Sequence, residues 1–263
     1  MGTSSIFNGP TDKNPLLPDG FEEEMDEYKP EDEEDYLPED GLWQDAKTSI
    51  SKYINNGFSD KRSVVGKHVK ALGGAGTSAK AAVSGRKSTV RLGSLLKDFV
   101  NDGVINTLNK LKIDYVGKSV ESLLSELVNI LSEESVTKED IVAKNATIEA
   151  MSKIYEYIED NEMDIKTLEN MGEDIFNEIM SLYISSYIFE RMFSDLESRL
   201  EKYADNEERA YEIEVEFKDY IQSKVEIELS NIQFNNLDYD DLDIQNQIQN
   251  IYRKCYEVME VLR

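Results

Sequence analysis

The stretch IFNEIMSLYISSYIFERMFSDLESRLEKY, residues 175–203, decides the fold. Ile175, Ile179, Leu182, Ser186, Phe189, Phe193, Leu196, Leu200 and Tyr203 recur in steps of four and three, the spacing that lines up side chains on one face of an α-helix. Phe176, Met180, Tyr183 and Tyr187 add a second apolar row through the first half, so that half is expected at the centre of a bundle, covered from more than one side.

The flanking sequence supplies the covering helices. Thr137, with Asp140 three residues on, has the form of a capping box and opens a helix on which Ile148, Met151, Tyr155 and Ile158 share a face. Asp205 and Glu208 suggest a cap for a helix through Ala210, Ile213, Phe217 and Ile221. Val225, Ile227 and Leu229 then alternate like a strand, but the residues between them are Glu, a strand-depleted type, and the segment is read as helix. Ile244, Ile248, Ile251, Cys255, Val258 and Leu262 repeat the four-three rhythm. Upstream, Val120, Leu123, Leu127 and Leu131 form one stripe; Leu96, Val100, Val104, Leu108 and Leu111 form another, weakened at Gly103. The expected class is all-α: an antiparallel helical bundle.

Charge and proline divide the chain into three regions: a flexible leader and acidic tail over 1–42, a glycine-rich basic segment with short helices over 43–92, and an acidic α-helical domain over 93–263. All five prolines, Pro10, Pro15, Pro18, Pro30 and Pro38, fall in the first 38 residues. Residues 19–40 carry 13 acids against Lys29 and too few aliphatics to offset the entropy of ordering, so this run is expected to be disordered when alone. Residues 61–97 contain nine Lys and Arg and no acid. Gly66, Gly73, Gly74, Gly76, Gly85 and Gly93 are expected to break that stretch into short helices, around Ser63 to Leu72 and Ser78 to Ser84.

The net charge of −25 argues against a free-standing binder of nucleic acid or anionic membrane. No apolar run approaches the roughly 18 residues that span a bilayer, and no basic-then-apolar secretory signal opens the chain, so a cytoplasmic protein is expected. Gly2 at the head of MGTSSI suggests N-myristoylation, but Ile6 stands where that motif wants Ser or Thr.

Enzyme signatures are weak. GGAGTSAK, Gly73 to Lys80, lacks the Gly-Lys-Ser/Thr order and preceding strand of a phosphate-binding loop. The single Cys255 and single His68 cannot supply a structural zinc site. Cys255 falls on the apolar stripe of the last helix and is read as a packed thiol, whereas His68, in a basic stretch without a neighbouring acid, is read as a surface or partner-contacting residue. The expectation is no catalytic residue, no metal and no bound cofactor.

The basic segment has three readings: it folds against the chain's own acidic tail, it meets an acidic partner, or it touches nucleic acid within a complex. Lys67, Lys70, Arg86, Lys87 and Arg91 are the contact residues in each. Direct nucleic-acid binding is disfavoured because no aromatics interleave with the charges.

Together the leader Met1-Gly2-Thr3-Ser4-Ser5, the run Gly9-Pro10 followed by Asn14-Pro15-Leu16-Leu17-Pro18, and the basic segment leading into Leu92-Gly93 resemble the QatB-like proteins of the Qat anti-phage defence operons. Asp140-Ile141-Val142-Ala143 is a weaker echo. The resemblance implies a non-enzymatic subunit whose partners are a QueC-like enzyme, similar to the 7-cyano-7-deazaguanine synthases, an ATPase and a TatD-like nuclease. It further implies that the amine of Gly2, freed by removal of Met1, accepts a deazaguanine group derived from 7-cyano-7-deazaguanine.

The leader's chemistry fits that role. A glycine α-amine has a pKa near 8, against about 10.4 for lysine, and is unhindered. Thr3, Ser4 and Ser5 are small enough to run extended into a narrow active site, and Gly9, Pro10, Pro15, Leu16 and Pro18 would complete the partner-binding stretch, the prolines lowering the entropy lost on docking. A second reading is an acidic helical adaptor, or a DNA mimic, that occupies a nucleic-acid-processing partner.

Overall fold

The computed structural model describes residues 41–56, 60–132, 137–203 and 207–260, and among them there is no strand. Ten α-helices occupy these residues: α1 (Leu42–Asn56), α2 (Lys61–Ala71), α3 (Gly74–Ala81), α4 (Val83–Asp102), α5 (Val104–Lys110), α6 (Val120–Leu131), α7 (Lys138–Glu159), α8 (Glu173–Tyr203), α9 (Glu207–Leu229) and α10 (Ile244–Glu260). Single 3-10 turns sit at Ile165–Asn170 and Phe234–Asn236. The leader, the acidic run, the Asp205 cap and Leu262 lie outside the described residues.

Helix α8 is the axis of the bundle, packed by α7, α9, α1 and α4. Most of its two expected apolar rows is in the core: Ile179, Met180, Tyr183, Tyr187, Phe189 and Leu196 are at most 1% exposed, while Ile175, Leu182 and Phe193 are half-buried. Each such side chain contributes about 1.5–3 kcal/mol by leaving water. Between α7 and α8, Lys138 meets Asp195, Asn145 meets Glu190 and Lys153 meets Glu178, so one helix ascends as the other descends. Helices α4 and α10 run in the same sense, since the Arg86–Gln249 and Thr89–Tyr252 contacts advance together.

Local signals set the helix starts. The Thr137 hydroxyl accepts from the Asp140 N–H at 3.2 Å while the Asp140 carboxylate accepts from the Thr137 N–H at 2.9 Å, a complete capping box for α7. Ser119 caps α6 and Asp60 caps α2 by the one-way bond alone, each side chain accepting from a backbone N–H three residues on. Residues 225–229 are helical, with Val225 and Leu229 in the core and Ile227 72% exposed.

Four expectations are corrected. Gly85 and Gly93 do not break a helix; both lie inside the 20-residue α4. Their reason is close approach: a Cβ on Gly85 would stand 2.6 Å from the Tyr187 ring, and one on Gly93 would stand 2.1 Å from the Tyr239 ring. The stripe from Leu96 to Leu111 is not continuous, because Gly103 at φ +87° ends α4, and Val100 is left 39% exposed. The buried face of α7 runs through Ala143, Ala146, Ala150, Met151, Ile154 and Ile158, while Ile148 is 46% exposed. Finally, His68 is buried, not at the surface.

The residues of the basic segment are part of the core. Val64, Val65, Val69, Ala75, Ala79 and Ala82 share one hydrophobic cluster with Tyr187, Phe189, Tyr252 and Tyr256. Helix α4 runs straight through the 92/93 position that separates the two regions by charge. A small satellite cluster of Trp43, Ala46 and Ala71 ties α1 to α2.

Candidate functional site

Gly2, Thr3, Ser4, Ser5, Gly9, Pro10, Pro15, Leu16 and Pro18 lie outside the described residues. The first described helix after them, α1, is anchored. Trp43 packs edge-on against the His68 ring with centroids 5.8 Å apart, and the Tyr53 hydroxyl bonds the Glu216 carboxylate on α9. Helix α1 is thus held on three sides, by α2, α8 and α9.

The five basic contact residues are dispersed. Lys67 and Lys70 are half-buried on α2. Arg86 is engaged within the chain, donating to the Gln249 side-chain carbonyl at 2.6 Å and to the Lys80 carbonyl at 3.1 Å. Lys87 is exposed, and Arg91 donates to the Leu131 carbonyl at 3.3 Å. Only Lys87 and Arg91 come together, at a small recess with Ser84, Ser88, Ser132 and Asp140.

Spacing could not reveal the polar seam that joins this segment to the acidic helices. The Asp195 carboxylate, 6% exposed, lies 2.9 Å from His68 Nε2 and accepts from Lys138 Nζ at 2.6 Å. Burial would raise the Asp195 carboxyl, but the His68 hydrogen bond and the electrostatic pull of its two partners, His68 and Lys138, outweigh it and hold the carboxyl at about 2. One turn earlier, Arg191 donates to the Ser78 carbonyl at 2.9 Å and reaches the Tyr256 hydroxyl at 3.5 Å. Glu139 accepts from the Tyr187 hydroxyl at 2.9 Å and from the Ser84 N–H at 3.0 Å, and burial pushes its carboxyl up against the pull of Arg191. A sequence signal did exist for part of this seam. Arg191 and Asp195 interrupt the central helix four residues apart, one turn, where apolar residues would be cheaper to bury.

The seam is structural in its chemistry. It supplies buried charges with partners and fixes how α2, α3 and α4 sit on α7, α8 and α10. Cys255 is fully buried in α10 and its thiol is pushed up by that burial, as are the hydroxyls of Tyr183, Tyr187, Tyr252 and Tyr256. Among the described residues no group of three His, Cys, Asp or Glu is placed to hold a metal ion, and no helix is long and apolar enough to cross a membrane.

The family model described as Qat anti-phage system associated protein QatB matches residues 73–259. No curated protein and no solved structure matches the chain. The match spans α3 to the end of α10, and so takes in Gly85, Gly93 and most of the polar seam; the leader and α1 precede it. With well over half of its length covered, the chain belongs to the QatB family and is a component of the Qat anti-phage defence system.

Proposed function

We propose that this chain is the non-enzymatic subunit of its Qat system, a folded handle that presents the Gly2 amine to a synthase-like partner for attachment of a deazaguanine group. The observation that carries the reading is the pairing of a QatB-family bundle with the leader Met1-Gly2-Thr3-Ser4-Ser5, which offers an unhindered α-amine at the chain end. The interior supports it. Its one thiol and Tyr183, Tyr187, Tyr252 and Tyr256 are sequestered, whereas an α-amine with pKa near 8 keeps a useful unprotonated fraction at cellular pH.

In the transfer, the Gly2 nitrogen forms a bond to an activated carbon of the deazaguanine group supplied by the partner. The activating group leaves with its electron pair, and the nitrogen gives up one proton. The bundle's part is to hold the leader near that partner at high effective concentration. The ATPase and the TatD-like nuclease complete the proposed set of partners, in the cytoplasm.

A block at Gly2 tests the reading. Gly2→Pro, or an amino-terminal tag, should abolish phage protection while leaving the helical content and unfolding midpoint unchanged. The competing adaptor or DNA-mimic reading predicts the reverse: protection survives the block and fails when exposed acids such as Glu207, Glu208 and Glu212 on α9 are neutralised.

A further inference from the structure

A cleft of about 230 Å³ opens between α1 and the second half of α8, on the side of α1 opposite its buried Trp43 and Ala46. Three cations line it: Lys47, Lys52 and Arg199. The hydroxyl residues Thr48 and Ser51 lie between them, with the amides of Gln44 and Asn55 at the ends. On α1 these positions follow helical spacing, 44, 47, 48, 51, 52 and 55, so they form a single polar face. The face is braced from within. Gln44 donates to the Thr48 hydroxyl at 3.4 Å, Ser51 donates to the Lys47 carbonyl at 2.8 Å, and Asn55 donates to the Ser51 carbonyl at 2.8 Å.

The charge pattern is what sets the cleft apart. The chain has 54 Asp and Glu against 29 Lys and Arg, yet among the described residues no acid lines this cleft. Asp195 acts on Lys47 electrostatically but is already committed to His68 and Lys138. Lys47 feels the imbalance: burial, and then the Arg199 charge, lower its pKa, and Asp195 only partly opposes them. A local excess of partly desolvated positive charge is relieved by a bound anion.

We propose that this cleft between α1 and α8 binds a compact phosphate-class anion, either inorganic phosphate or the terminal phosphate of a small phosphomonoester. Phosphate suits it better than a carboxylate. A phosphomonoester carries about −1.5 to −2 charge and three acceptor oxygens, enough to meet two lysines, an arginine fork and two hydroxyls from different directions. At about 230 Å³ the cleft is below the ~300–1,000 Å³ of ordinary small-molecule pockets, which suits a headgroup and little more. A nucleic-acid strand is disfavoured, since among the described residues no aromatic lines the cleft, and the net charge of −25 opposes a polyanion. This inference stands apart from the modification of Gly2 and survives its failure.

The test is a titration of the full chain at low salt with inorganic phosphate, adenosine monophosphate, acetate and a single-stranded oligonucleotide, followed by backbone amide NMR. Saturable shifts at Lys47, Thr48, Ser51 and Arg199 are expected with the two phosphates and not with acetate. The double variant Lys47→Ala/Arg199→Ala should weaken phosphate binding at least roughly tenfold, about 1.4 kcal/mol, because it removes two charge-assisted contacts. Lys52→Gln, at an exposed position of the rim, should weaken it severalfold without touching the fold, and Lys166→Ala, outside the cleft, should leave it unchanged. Phosphate shifts that are absent or centred elsewhere, an equal response to acetate, or tighter binding of the oligonucleotide at these residues would overturn the proposal.

Discussion

Two glycines show how the bundle is closed at the scale of single residues. Gly93 is in van der Waals contact with the Tyr239 ring, whose hydroxyl donates to the Phe234 carbonyl at 3.0 Å and so pins the turn before α10. Gly93→Ala forces that ring aside and should lower stability by about 1–3 kcal/mol, read as a shift in denaturant midpoint. Trimming the ring in Gly93→Ala/Tyr239→Leu should recover part of the loss, whereas a purely conformational cost of replacing glycine would not respond to Tyr239. At Asp195 the sign of the pH effect follows from its depressed carboxyl. The folded carboxyl titrates at about 2 against an ordinary 3.8, so its stabilisation is fully present above about pH 4 and is lost as pH falls toward 2. Asp195→Asn leaves the half-buried Lys138 without its carboxylate and should cost about 2 kcal/mol at neutral pH, the worth of the depressed carboxyl. Denaturant curves for the two proteins should converge as acid protonates the wild-type side chain.

At the scale of elements, the capping box of α7 gives the plainest case. Thr137→Ala removes the hydroxyl that accepts from Asp140 N–H and should cost about 1 kcal/mol, with the loss measured by the same midpoint shift. That box was legible in the sequence, as were the long stripe of α8 and the four-three rhythm of α10, because side chains three and four apart share a helix face wherever the helix sits. The buried alanines of α7 were not legible: alanine fits a solvent face as well as a close helix–helix contact, so Ile148 was placed on the buried face beside Met151 and Ile158, which are in the core. Glycine misled in α4 for a related reason, since its helix-breaking tendency of about 1 kcal/mol is smaller than the benefit of letting Tyr187 and Tyr239 pack against the backbone. The polar seam pairs residues 68 with 195, 84 with 139 and 78 with 191, and no local pattern reports contacts that distant. The anion cleft repeats the lesson: its α1 face can be read from residues 44–55, but Arg199 arrives from another helix.

At the scale of the whole molecule, charge and function are distributed differently. The acid-free segment 61–97 is folded into the bundle, with its apolar side chains in the core and Arg86 spanning to α10. The family resemblance was read mainly from the leader, yet the family match begins at Gly73 and rests on the helices. The fold therefore belongs to α1–α10 and the family match to α3–α10, while the proposed chemistry belongs to the residues before α1. This division predicts that the two can be separated, with leader variants leaving unfolding unchanged and core variants such as Gly93→Ala altering it.

The most direct measurement of the central claim is the intact mass of the full chain purified after co-expression with and without its synthase-like partner. The account predicts loss of Met1 in both samples and, only with the partner, a further mass gain of one deazaguanine group that maps to Gly2 and is absent from Gly2→Pro. An identical mass in both samples, or a gain that maps to a side chain of the bundle, would contradict it.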